Sequence, residues 1–159
     1  MEDLKFRVVA QSENPTKTVV KTRGFEIIID EPESLGGTND GANPVEYMLA
    51  ALCGCINVMG HVIAKEMEFE LRNLKIKMCG NLNPQRLFGS SFEDRAGYKK
   101  IDISLEPDCD VSIEVLEEWL AKIEDRCPVS DNLTHTTPIN LLLKGKFHSL
   151  ESTSQLHND

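Results

Sequence analysis

Five cysteines, at positions 53, 55, 79, 109 and 127, are the residues of this 159-residue chain best suited to chemistry. A thiolate is a nucleophile and a metal ligand, and a neighbouring thiol can capture its sulfenic acid as a disulfide. Spacing decides which of these uses is open. Cys53 and Cys55 lie two residues apart in a helical segment. They are about 200° apart around the axis, so they can neither share a metal nor bridge each other. A zinc site is not implied. Cys79 falls in a strand-like run and Cys109 in a polar turn, where each reads as a bystander. Cys55 and Cys127 remain, each on the apolar stripe of a helix, and the two helices must pack together. The plain alternative is a pair of small buried hydrophobes. An odd number of cysteines is a poor disulfide framework, and no export signal marks the N-terminus. The chain is therefore expected in the cytoplasm, with its thiols reduced at rest.

Cys55 sits midway along residues 43–66, the one long segment whose apolar residues cover nearly every direction around a helix. Asn43 can be the N-cap, Pro44 fits the first helical position where no N–H is missed, and Glu46 falls where a capping box needs its acceptor. From Tyr47 to Met59 the run is mostly Ala, Leu, Met, Ile and Val with two cysteines, which excludes an ordinary surface helix. A core helix is expected, with residues 47–62 largely buried. Glu46 at one end and His61 and Lys65 at the other bound the run, and a membrane span would need roughly 20 apolar residues. Cys127 is carried by a second, amphipathic helix capped at Asp110 or Ser112, with Val115, Leu116, Trp119, Leu120 and Ile123 as its stripe. Pro128 then stops or redirects the chain, and residues 129–137 read as a turn or short helix.

Strands surround these helices. Runs 4–10, 17–22 and 25–30 are β-rich and separated by Asn14-Pro15 and Arg23-Gly24, giving a small antiparallel meander. Residues 68–80 and 98–106 alternate apolar and charged side chains, as strands with one wet face do. Residues 139–147 form a last strand, and the tail from His148 is polar. The stretch EPESLGGTNDGANP lacks G-x-G-x-x-G spacing and reads as a loop leading to the helix cap. This order is α+β, in one domain over residues 1–147 with a tail over 148–159. One sheet and one amphipathic helix cannot cover a helix that is apolar all round, so a second copy of the chain is the simplest cover. A formal net charge of -9 and an isoelectric point near 4.9 disfavour nucleic acid or an anionic membrane as partner.

Together DEPESLGGTNDGANPVEYMLAALCGC, RAGYKKIDISLE and EDRCPVSDNLTHTTPI resemble the OsmC/Ohr family of thiol peroxidases and their relatives. The resemblance spans about residues 22–144. It implies an intertwined homodimer in which antiparallel sheets wrap two central helices, with two active sites at the interface. It also implies that Cys55 is the first cysteine of the family's reactive pair and Cys127 the second. Organic hydroperoxides would be the substrates and a dithiol, of lipoyl type in better-known relatives, the reductant. No metal or organic cofactor is implied. An Arg contributed across the dimer from the N-terminal strand region matches Arg23.

The chemistry accounts for those residue types. Attack on an O–O bond needs a thiolate, whereas a thiol of ordinary pKa, about 8.5, is mostly protonated at neutral pH. Cys55 lies beyond the first turn, where the helix dipole acts, and its own helix has no cation before Lys65. An Arg from elsewhere is required, with Arg23 first and Arg95 and Arg126 in reserve. In the hydroperoxide-specialised branch a carboxylate that orients this Arg directly follows the Pro; here Val45 stands there and the carboxylate comes one later, as Glu46. The shift of about 100° turns Glu46 toward the Cys53 stripe, with Asn57 and His61. Glu46 is thus both a cap and a candidate catalytic orienter. The rival reading is a non-peroxidase dimer that binds a small apolar ligand or senses redox state through the same cysteine-lined cavity.

Overall fold

A computed structural model describes residues 2–144 of the chain. The central helix α1 (Pro44–Glu66) starts as its sequence requires. Asn43 Oδ1 accepts from the Glu46 N–H at 2.9 Å, and Glu46 Oε2 accepts from the Asn43 N–H at 2.8 Å. Before it run β1 (Val9–Ser12), β2 (Thr18–Thr22) and β3 (Phe25–Ile29), an antiparallel meander in that order. Only two residues, Arg23 and Gly24, link β2 to β3, and both take positive φ, 49° and 99°. That pair of left-handed residues is what a type I′ hairpin turn demands. The first strand begins at Val9, late in the expected 4–10 run, whose Leu4 and Phe6 stay exposed.

After α1 come β4 (Asn73–Asn81) and β5 (Lys100–Asp108), paired antiparallel with Leu74 opposite Pro107 and Ile76 opposite Leu105. Glu68, at φ 60°, turns the chain out of the helix, which delays β4 relative to the expected start at residue 68. Helix α2 (Ile113–Arg126) has Ser112 at its N-cap position. Asp110, the other capping candidate, instead holds Arg72, whose Nη1 donates to Asp110 Oδ2 at 2.6 Å. Helix α3 (Pro128–Thr134) fills the expected short-helix region. The architecture is α+β, with two separate antiparallel sheets in one chain.

The apolar core comprises Leu52, Ile56, Ile63 and Ala64 of α1, Leu71 and Leu74 beside and in β4, and Trp119, Ile123 and Cys127 of α2 and its end. Trp119 is its anchor. Its indole N–H donates to Gly60 O at 2.8 Å, and a Cβ at position 60 would stand 3.0 Å from the ring, so a residue without a side chain lets α2 approach α1 closely. A different device holds the meander to α1. Asp30 is fully buried and accepts from the N–H groups of Glu31, Thr38 and Asp40 and from the Thr38 hydroxyl. These bonds pull its carboxyl below the usual carboxylate range, the Thr38 hydroxyl most of all, and they fold the loop that delivers Asn43 to the helix start.

Two expectations meet a different outcome in one chain. Residues 47–62 are not buried all round: Met48, Val58 and Val62 stand 41–58 % exposed on the side away from Trp119. α1 is long and apolar enough to cross a membrane by composition, yet its buried stripe is the centre of a packed domain. Residues 139–144, expected as part of a last strand, pair with no strand among the described residues. Ile139, Leu141, Leu142 and Leu143 are at least 81 % exposed. A strand forms only where a sheet edge offers hydrogen-bond partners, and within one chain none reaches this segment. The rest of that strand and the polar tail lie outside the described residues.

Candidate active site

Cys55 and Cys127 come together. Helix α1 places Cys55 one turn after the buried Leu52 and directly before the buried Ile56, which turns it toward α2. Cys127 ends α2 and starts α3, where Pro128 in the first turn needs no N–H partner. The Cys127 thiol donates to Cys55 Sγ at 2.9 Å, and both cysteines are free. A covalent bridge needs about 2.05 Å, so the pair is poised for one without being joined. Cys127 Sγ in turn accepts from the Ser130 N–H at 3.4 Å, capping α3 as a hydroxyl oxygen would. The Cys-Pro pair carries the same cap-then-proline signal as Asn43-Pro44, and that signal could have assigned the role from sequence.

The two sulfurs differ in access. Cys127 is 1 % exposed, whereas Cys55 is half-buried and so the one an incoming reagent can reach first. Burial pushes the Cys55 thiol above its ordinary range, the hydrogen bond to Cys127 adds to the rise, and the Val129 N–H works against it. Within one chain, therefore, Cys55 is held as a thiol. Among the described residues no cation makes a hydrogen bond to either sulfur.

Neither of the other expected site residues supplies one from the same chain. Arg23 sits at the tip of the β2–β3 hairpin with its guanidinium 5.5 Å from the centre of the Phe25 ring. A non-glycine residue in this left-handed conformation costs about 1 kcal/mol, which the two-residue hairpin turn requires here. Glu46 is engaged in the capping box and holds no arginine among the described residues. Arg126, one of the reserves, is committed to Glu66: its Nη2 donates to Glu66 Oε1 at 3.0 Å, tying the end of α2 to the end of α1. Cys53 is half-buried, Cys79 and His61 are exposed, and Cys109 packs at the edge of the core. Among the described residues no three His, Cys, Asp or Glu side chains gather where they could hold a metal ion.

Two neighbouring cavities lie on this side of the helices, and Cys127 lines the first. One, of about 270 Å³, is walled by Ile56, Leu120, Ile123 and Cys127. The other, of about 310 Å³, reaches Leu52 and Met48, and the two share Ile103 and Ser130. A larger hollow of about 660 Å³ lies along β1 and β2, with Ser12, Glu13, Lys21 and Glu26 in its wall and no cysteine. Proximity to the thiols makes the smaller pair the relevant one.

A family model described as OsmC-like protein matches residues 37–142. No curated protein matches the chain significantly. Among solved structures, an OsmC-like protein from Mycoplasma pneumoniae superposes with a TM-score of 0.73 at 19% identity, over 84% of this chain and 89% of that one. An organic hydroperoxide resistance protein from Elizabethkingia anophelis gives 0.61 at 20% identity, over 82% and 89%. An organic hydroperoxide resistance protein OsmC from Legionella pneumophila gives 0.59 at 19%, over 82% and 91%. At these identities the likeness speaks for the fold alone.

Proposed function

The chain belongs to the OsmC-like protein family, and from that premise we propose that it is a thiol-dependent peroxidase that reduces organic hydroperoxides. The observation that carries this reading is the pair of free thiols 2.9 Å apart, one accessible and one buried, beside an apolar cavity. Cys55, as thiolate, attacks the outer peroxide oxygen of ROOH; the O–O bond breaks, Cys55 becomes the sulfenic acid, and the alkoxide leaves and takes a proton to become ROH. The Cys127 thiol then displaces water from the sulfenic acid and closes the Cys55–Cys127 disulfide. A dithiol of lipoyl type reopens it by exchange and is itself oxidised to a disulfide. No metal or organic cofactor enters.

The thiolate needs a cation, and a second copy of the chain is its proposed source. The apolar face of α1 at Met48, Val58 and Val62 and the exposed run from Ile139 to Leu143 support a homodimer, because each chain leaves apolar surface that another can cover. In that dimer Arg23 of one copy holds the Cys55 thiolate of the other and stabilises charge on the departing oxygen. Glu46 orients that guanidinium if the capping box leaves an oxygen free; otherwise it only caps. We place the chain in the cytoplasm, where its five cysteines would rest as free thiols.

The test is the second-order rate of Cys55 oxidation by cumene hydroperoxide and by hydrogen peroxide, in wild type, Arg23→Lys and Glu46→Gln, with peptide mapping of the product. Organic peroxide should react faster, since an apolar group buried near the sulfur contributes about 25 cal/mol per Å². The bridge should join Cys55 to Cys127. Slow, equal rates unmoved by either substitution would leave the ligand-binding dimer as the better account, and a bridge from Cys53 would move the reactive position by two residues.

A further inference from the structure

We propose that the loop between β4 and β5, residues 82–99, docks the protein on a zwitterionic phospholipid bilayer, with Leu87, Phe88 and Phe92 as the side chains that enter it. These three stand 62–69 % exposed, all between positions 87 and 92. The loop carrying them is held by its own hydrogen bonds. Gln85 O accepts from the Ser90 N–H at 2.9 Å, Pro84 O from the Phe88 N–H at 3.1 Å and Arg86 O from the Gly89 N–H at 3.2 Å. Gly89, at φ 66°, turns the tip. Arg86 Nη1 donates to Phe92 O at 2.7 Å and to Asp94 O at 3.1 Å, and its guanidinium lies 5.4 Å from the centre of the Phe92 ring. The second half of the loop is thereby folded back on the first.

This loop turns polar groups inward and large apolar side chains outward, the reverse of what water favours. Backbone groups already bonded within the loop can approach an apolar phase without leaving donors or acceptors unmet. The charges gather at its base, beside the strand ends. There Lys99 Nζ lies 2.5 Å from Asp94 Oδ2, and Asn83 Nδ2 donates to the same oxygen at 2.5 Å. Apolar tip and polar base are the arrangement that an interface between hydrocarbon and headgroups selects.

Area separates a bilayer from a protein partner. Two phenylalanines and a leucine at this exposure offer roughly 350 Å² of apolar side chain, less than half of the roughly 800 Å² that each side of a stable protein interface buries. A bilayer needs no matching shape and takes apolar side chains to a depth of about 5–10 Å. Charge separates one bilayer from another. The loop carries Arg86, Arg95 and Lys99 against Glu93 and Asp94, whereas the chain as a whole carries -9. Its tip therefore meets phosphate headgroups without repulsion, while an anionic surface repels the rest of the protein. Through Arg95 and Tyr98 the loop runs into the wall of the 310 Å³ cavity, so a docked chain holds that cavity at the membrane surface.

The experiment is flotation of the full-length protein with vesicles of phosphatidylcholine, and with vesicles of equal parts phosphatidylcholine and phosphatidylglycerol. No peroxide enters the measurement, so its outcome is independent of the peroxidase reading. Wild type should float with phosphatidylcholine and bind the mixed vesicles more weakly. Leu87→Ser, Phe88→Ser and Phe92→Ser together should lower the partition coefficient by about tenfold or more, with the hydrodynamic mass unchanged. Ile113→Ser removes an equally exposed side chain from α2 and should leave the coefficient within about twofold. Should the triple variant not fold, Phe92→Trp gives a second reading. Against the background of buried Trp119, its emission should shift to the blue on vesicles and be quenched by brominated phosphatidylcholine. No flotation of wild type, an equal loss in Ile113→Ser, tighter binding to phosphatidylglycerol, or an unshifted Phe92→Trp emission would overturn the proposal. So would a triple variant whose hydrodynamic mass falls with its binding, since the loop would then belong to a contact between copies of the chain.

Discussion

The helical half of the chain and the β1–β3 meander are built to different degrees of completion. Every residue of the apolar core lies between Leu52 and Cys127. The meander contributes none, and its Val9 and Phe25 remain 73 % and 63 % exposed. It is tied on by polar bonds instead, with the Tyr47 hydroxyl donating to Ile28 O at 2.8 Å and the Asp30 N–H donating to Ala42 O at 3.3 Å. The difference teaches where each half of the chemistry resides. Packing within one chain suffices to bring two sulfurs together, whereas the arginine expected to activate them rides on a hairpin whose Phe25 remains exposed.

The comparison can be broken hardest at Trp119. Trp119→Ala should cost about 3–5 kcal/mol in urea unfolding, through lost burial and the cavity left against Gly60. Phe25→Ala in the meander should cost less, and in the proposed dimer its cost should grow on dilution. A loss at Phe25 as large as that at Trp119 and independent of concentration would show that the meander is part of the single-chain core after all.

Next in size is the effect on assembly. Leu141→Asp combined with Leu143→Asp should shift the hydrodynamic mass from two chains toward one while leaving helix content in place, since both side chains lie open in the single chain. An unaltered dimer would assign the contact to the α1 face alone.

Arg23 links the two regions. The single chain holds Cys55 as a thiol, so its alkylation by iodoacetamide should rise only at alkaline pH unless a cation lowers that midpoint. Arg23→Ala should move the midpoint upward and slow alkylation at neutral pH; identical profiles would remove Arg23 from the site.

A smaller effect is expected at Asp30. Its carboxyl titrates below the ordinary range when folded, so the stability it contributes is complete above the unfolded pKa of about 3.9 and fades as pH falls below it. Asp30→Asn should lower the melting temperature at pH 7 and flatten its decline in acid, and a parallel decline would discount the latch. Smallest is Asn43→Ala, at about 1 kcal/mol for one lost helix cap.

Legibility followed the range of the interaction. The start of α1 was readable to the residue, because Asn43, Pro44 and Glu46 act within one turn of each other. The stripe of α2 was readable too, although Leu120 on its margin is 40 % exposed. Strand limits were less so, since β4 begins where Glu68 has turned the chain and β1 where Val9 meets Lys21, both matters of pairing across the sheet. The commitments of Arg126 to Glu66 and of Arg72 to Asp108 and Asp110 were hidden, because the partners lie 36 or more positions away.

By itself the sequence determined an α+β domain around one unusually apolar helix, two cysteines on facing stripes and a cap-proline signal at the start of α1. Periodicity and capping are properties of neighbours in the chain, so they survive without knowledge of the fold. Tertiary structure alone decided that the sulfurs stand 2.9 Å apart, that burial pushes the Cys55 thiol up and that Arg126 is committed to Glu66. Distance, solvent exposure and the competition among charges for partners arise only when segments 72 residues apart are packed together.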